Sequence, residues 1–134
     1  MYERKVQVVA RSVLREAFCF YDDCDEVMVE PLPAGIRVEY VSTRASFGLR
    51  DVTRLECRVE SQRNQMWVDG LRVAIPLRFN GIGRQLVAAV ERIALALGLP
   101  TVNAYPIAPA RGFWEEVGYD PHPTTARVVT KDVA

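Results

Sequence analysis

The sequence predicts one mixed α/β domain, and three observations carry that prediction. The hydrophobic period is helical near the N-terminus, becomes two in the segments 35–42 and 54–60, and returns to helical from Gly81. Elements in that order, helix, several strands, helix, strand, helix, strand, pack as helices on a sheet. A chain of 134 residues is enough for one well-buried core and too short for two, so residues 1–134 are read as a single domain. With 49% hydrophobic and 25% charged residues it has the make-up of a globule, not of a disordered tail.

The first helix is carried by Val6, Val9, Ala10, Val13, Leu14, Ala17 and Phe18 on one side, with Glu3, Arg4, Arg11, Arg15 and Glu16 on the other. It is expected to end near Asp22 and Asp23, whose short acidic side chains suit turns and oppose a helix C-terminus. The stretch 31–35, Pro-Leu-Pro-Ala-Gly, reads as a breaker before a strand over 35–42, with Ile36, Val38 and Tyr40 on one face. Leu55, Cys57 and Val59 alternate with Arg54, Glu56, Arg58 and Glu60, which describes a strand with one wet face. Residues 65–75 are richer in apolar side chains, as a central strand requires. A long helix then runs from Gly81 through Ile82, Leu86, Val90, Ile93 and Leu97, with Gly98 as C-cap and Pro100 blocking continuation. A short strand over 101–105, a short helix over 109–117 closed by Gly118, and a last strand over 126–131 complete the chain.

Several function classes are excluded or disfavoured. Seventeen basic residues balance seventeen acidic ones, so no overall field draws nucleic acid or an anionic membrane. Cys19, Cys24 and Cys57 are an odd number with neither zinc nor disulfide spacing, which fits a reducing cytoplasm and no metal. Charges at Glu3, Arg4, Lys5 and Arg11 interrupt any apolar signal region, and no apolar run is long enough to span a bilayer. His122, the single histidine, sits between Pro121 and Pro123 and reads as a surface turn.

The informative stretch is residues 71–84, where a buried strand passes through a turn into the long helix. The first backbone N–H groups of a helix lack internal partners and lie at the positive end of its dipole, so they can bond phosphate oxygens. Gly81 and Gly83 are expected to remove Cβ atoms that would hold such a ligand away. A Walker loop would end in Gly-Lys-Ser/Thr, and a dinucleotide fingerprint needs a glycine where Leu86 stands, so neither spacing fits.

The segment Arg78-Phe79-Asn80-Gly81-Ile82-Gly83 resembles the Arg/Gln-x-x-Gly-x-Gly/Ala signature of the GNAT superfamily of acyl-CoA N-acyltransferases. Residues 110–119, Ala-Arg-Gly-Phe-Trp-Glu-Glu-Val-Gly-Tyr, resemble that family's later Ala-x-x-Phe-Tyr-Glu-Lys-Leu-Gly-Phe segment, and the two motifs stand in the right order. The resemblance implies a central, mostly antiparallel twisted sheet with helices on both faces, splayed where CoA enters. It implies acetyl-CoA as acyl donor, no metal, and an amine of a small molecule or protein as acceptor. It also implies that dimers are common, although no dimer surface is legible. The family usually begins with a strand and places two helices before the Gly35 strand. One helix is read here, so the acceptor pocket cannot be inferred.

The resemblance also distributes roles. Val73 and Ile75 are expected to offer backbone groups to the pantetheine arm and thioester, and Arg78, Phe79, Asn80, Gly81, Ile82, Gly83 and Arg84 to surround the pyrophosphate. Asp69, the only carboxylate on the strand leading to the loop, is the candidate base, and strict alternation puts it on one face with Leu71 and Val73. It also fits a plain Asp-Gly turn. Trp114 occupies the place of the family's tyrosine acid, and an indole N–H cannot do that work. Ile107 stands where many members have asparagine. Tyr105 is the substitute acid, ahead of Tyr119, which reads as core. Two functions therefore stand side by side: N-acetyltransfer from acetyl-CoA to a primary amine, and a non-catalytic acyl-CoA-binding module, which Trp114 and Ile107 favour.

Overall fold

The computed structural model describes residues 2–18, 25–42, 53–73, 81–106 and 111–134. Helix α1 (Tyr2–Phe18) opens the chain. Strands β1 (Asp25–Leu32), β2 (Gly35–Ser42), β3 (Thr53–Glu60) and β4 (Gln65–Arg72) follow as an antiparallel meander. Helix α2 (Ile82–Ala96) then crosses to β5 (Thr101–Ala104), and α3 (Arg111–Glu116), β6 (Asp120–Pro121) and β7 (Val129–Asp132) end the chain. The seven strands form one sheet in the order β1-β2-β3-β4-β5-β7-β6. Among the described strands only β4 and β5 run parallel, which requires the α2 crossover between them.

Two strands went unread in the sequence. Over 25–32, Val27 and Val29 point inward and alternate with exposed Met28 and Glu30. The Pro31-Leu32 pair belongs to β1 and does not break it, because β1 is an edge strand where proline's missing N–H is tolerated. The two-residue β6 is too short to show a period. The last strand begins three residues later than expected, at Val129.

The inward residues match their periods. Val6, Ala10, Val13 and Leu14 of α1 join Leu86, Val90 and Ile93 of α2 over Ile36, Val38, Tyr40, Leu55, Cys57 and Val59 in one contiguous core. Helices α1 and α2 therefore share a face of the sheet, and Arg92 of α2 pairs with Glu16 of α1 at 2.9 Å. The opposite face of β2, β3 and β4 carries cross-strand ion pairs such as Arg37–Glu56 and Arg54–Glu39. Trp67 is only 7% exposed yet stands apart from the core cluster, on this polar face.

Burial pushes the Cys57 thiol well above its ordinary range, with Asp69 and Glu56 adding to the effect, so Cys57 is a core residue and no nucleophile. Tyr119 is core as expected. Its hydroxyl donates to Glu91 at 3.0 Å, and Lys131 bonds the same carboxylate at 3.0 Å. Burial, then Glu91, drives its phenol upward, which makes it a weaker acid than an ordinary tyrosine.

Candidate functional site

The parallel pairing of β4 and β5 runs from Gln65–Thr101 to Val68–Ala104 and stops. Beyond that point β4 continues to Arg72 against β3, while β5 has ended. The described ladder between the two strands thus ends toward their C-termini, where open sheets place ligands. Asp69 and Tyr105 are the first residues past the last parallel pair. The two candidate catalytic residues, 36 positions apart in sequence, are brought to corresponding places just past the end of the parallel ladder.

A β-bulge sits at the same point. Cys57 pairs with Val68 and Glu56 with Gly70, so Asp69 has no partner on β3. The bulge corrects the expectation of strict alternation: Leu71 faces Leu55 on the core side, while Asp69 turns to the polar face. There Arg58 donates from Nε to Oδ2 at 3.2 Å and from Nη2 to Oδ1 at 3.3 Å. Burial lowers the Arg58 pKa, but the Asp69 bond and charge more than offset it, so the net shift is upward. The Arg58 guanidinium also lies 5.3 Å from the Trp67 ring centroid. Tyr105, 49% exposed, stacks on Trp67 with centroids 5.1 Å apart at 22°.

The residues expected to surround a pyrophosphate fall into two groups. Ile75, Arg78, Phe79 and Asn80 lie outside the described residues, as do Ile107 and Ala110. Gly81, Ile82, Gly83 and Arg84 are described and form the N-terminus of α2. Gly81 is the N-cap in the left-handed region, φ 80°, and a Cβ there would meet nothing within 4 Å. Among the described residues no side chain caps the helix, and no acidic residue sits in its first turn, so its positive end is not neutralised from within the helix.

Gly83 differs from Gly81 in what surrounds it. A Cβ there would point at Phe113 (3.4 Å to Cε1) and at Val73 (3.7 Å to Cγ2), so its bare face looks into packing and not toward an external ligand. Val73 accordingly packs against the core. Arg84 reaches Glu116 of α3 at 3.4 Å, both side chains being exposed.

Trp114, 4% exposed, belongs to the core, edge-on to Phe113 at 5.4 Å and to Tyr119 at 4.9 Å. His122 accepts backbone N–H bonds from Thr124 (3.2 Å) and Thr125 (3.1 Å) at Nδ1, a turn-capping role. Among the described residues no group of three or more His, Cys, Asp or Glu could hold a metal. No described helix is long and apolar enough to cross a membrane. Sequence reasoning missed Arg58 and Trp67. The signal was the register of two neighbouring strands, which places them directly opposite each other.

Comparison with known proteins agrees with this architecture. The model of the acetyltransferase (GNAT) family matches residues 45–119. A search of curated proteins finds no match. Among solved structures, the chain is similar to Tetrahymena GCN5, with TM-score 0.60 and 10% identity over 98% of this chain and 88% of that one. It is also similar to an acetyltransferase from Bacillus cereus, with TM-score 0.59 and 16% identity over 94% and 89%. A third is a putative streptothricin acetyltransferase from Bacillus anthracis in complex with acetyl coenzyme A, with TM-score 0.53 and 11% identity over 79% and 82%. Identities this low speak for the fold alone, but the family match spans more than half of the sequence, and the chain belongs to the GNAT acetyltransferase family.

Proposed function

We propose that this protein transfers the acetyl group of acetyl-CoA to a primary amine of a small molecule or protein. The observation that carries the reading is the end of the β4–β5 parallel ladder at Val68 and Ala104, while β4 runs on to Arg72, followed by a helix N-terminus at Gly81 that no described side chain caps. An extended pantetheine arm can lie along β4 beyond its last described parallel pair while helix N–H groups receive the pyrophosphate. The complex of the Bacillus anthracis relative with acetyl coenzyme A supports the same donor here.

In this reading the amine nitrogen attacks the thioester carbon, its proton passes to Asp69 directly or through a water, the C–N bond forms and the C–S bond breaks. Both Asp69 oxygens accept from Arg58, and each keeps a second lone pair for the incoming proton. Tyr105 protonates the departing thiolate. A thiol leaves with a pKa of about 8.5, so the step needs only a modest acid, and Trp114 in place of a tyrosine does not bar it. The second reading, an acyl-CoA-binding module without turnover, is favoured by that same Trp114.

The test is calorimetric titration with acetyl-CoA, CoA and a phosphate control, on wild type and on Gly81→Asp and Gly81→Asn. Both residues tolerate the left-handed region better than other side chains, and there is open space at the site. Stability should change by no more than about 1 kcal/mol. A carboxylate about 4 Å from a phosphate repels it by about 4 kcal/mol at an effective dielectric of 20, so Gly81→Asp should lower affinity by roughly 100-fold or more. Gly81→Asn should lose far less. Failure of wild type to bind acetyl-CoA refutes the proposal. Binding without CoA release across a broad amine panel selects the module.

A further inference from the structure

The Asp69–Arg58–Trp67–Tyr105 contacts form a continuous chain across three adjacent strands, and the chemistry assigned above to its two ends leaves its middle without a role. Arg58 on β3 and Trp67 on β4 stand opposite each other in register. Arg58 grips both oxygens of Asp69 through its fork and approaches the indole from one flank. Tyr105 stacks on the indole from the other flank, because β3 and β5 lie on opposite sides of β4. Glu60 holds Arg58 a second time at 3.5 Å.

We infer that Arg58 and Trp67 are positioning residues that set the distance and orientation between the base carboxylate and the acid phenol at the end of the parallel ladder. Three features support the assignment. Asp69 sits on a bulge and lacks the ladder partner that would fix its backbone, so the Arg58 fork supplies the constraint that the sheet does not. Tyr105 lies beyond the end of β5, and stacking on Trp67 gives its half-exposed ring one orientation. The Trp67 indole N–H is buried and finds no acceptor among the described residues, so the ring is held by its faces and not by its nitrogen. Neither residue touches the reacting atoms; both act through their neighbours.

This inference rests on the acetyltransfer reading, and its test is chosen to fail separately from it. Steady-state kinetics on an amine substrate found in the acceptor screen would compare wild type with Arg58→Met, Arg58→Lys, Trp67→Leu and Trp67→Phe, with thermal melts as folding control. Loss of general acid–base alignment should lower kcat by roughly 10- to 100-fold in Arg58→Met and Trp67→Leu. KM for acetyl-CoA should stay within about twofold, since the CoA-binding helix terminus is untouched. Trp67→Phe, which retains a stacking face, should recover most of the rate. Arg58→Lys should recover less, because an ammonium cannot reproduce the two-bonded grip. In a double-mutant cycle, Arg58→Met should add little to Asp69→Asn.

Unchanged kcat in folded Arg58→Met, equal loss in Trp67→Phe and Trp67→Leu, or fully additive effects with Asp69→Asn overturns the inference while leaving acetyltransfer intact. If Arg58→Met fails to fold, Arg58→Lys and the Trp67 pair decide by the same criteria. Absence of turnover in wild type overturns the acetyltransfer reading first, and this inference with it.

Discussion

Replacing Gly83 by alanine separates what the fold requires at the helix terminus from what a ligand requires. Among the described residues, the positive-φ glycines are Gly81, Gly98 and Gly118, so Gly83 has a backbone that any residue adopts. The new methyl would meet Phe113 at 3.4 and 3.5 Å and Val73 at 3.7 Å, all carbon atoms at ordinary contact distance. Removing glycine from a helix gains about 0.5–1 kcal/mol, chiefly from the unfolded chain. Partial burial of the methyl adds some fraction of the ~0.8 kcal/mol that a buried carbon contributes. Gly83→Ala should therefore be more stable by about 1 kcal/mol, which raises Tm by about 2–5 °C for a domain of this size. Because the methyl points into packing, acetyl-CoA affinity should be retained within about threefold, or ~0.7 kcal/mol. Denaturant melts and calorimetric titration on the same samples measure both quantities. A tenfold loss of affinity at unchanged stability would falsify the packing argument and turn the Gly83 face toward the ligand. Gly83→Glu is a poorer probe, since its longer side chain must pass Phe113 and would mix a packing defect with a charge effect.

Two further outcomes test the core. Trp114→Tyr removes volume between Phe113 and Tyr119 and buries a hydroxyl in an apolar cluster, so it should cost about 1–3 kcal/mol in a urea melt. Cys57 and Tyr119 both hold their protons more tightly when folded, so stability is whole below the unfolded pKa values and declines as pH climbs from there toward the folded ones. Unfolding free energy should thus fall by up to about 1.4 kcal/mol per pH unit above pH 9 from Cys57 alone, and more steeply above pH 10 as Tyr119 joins. Cys57→Ala should flatten the first part of that slope, read from melts between pH 8 and 10.5. An unchanged slope would place the thiol in water.

The sequence by itself determined the elements whose period is long enough to read: α1, β2, β3 and α2, with their inward residues Val6, Leu14, Val38, Leu55, Val90 and Ile93. It also determined the strand-to-helix junction at Gly81, because a short loop between two periodic segments leaves few places for a helix to start. The family match then followed from the two motifs in order.

What only the tertiary structure decided depends on partners distant in sequence. The bulge at Asp69 is a mismatch between β3 and β4, invisible in either strand alone, and it moved the carboxylate from the face of Leu71 to the face of Trp67. Trp67 and Tyr105 meet because β4 and β5 run parallel on either side of a crossover helix, a contact 38 residues long that no local pattern encodes. The same holds for Gly83, where the glycine motif was legible but the direction of its missing Cβ was set by Phe113, thirty residues away on another helix. Local periodicity acts through neighbours two to four residues apart, whereas the bulge and the aromatic–cation chain beside it arise where strands from separate segments align.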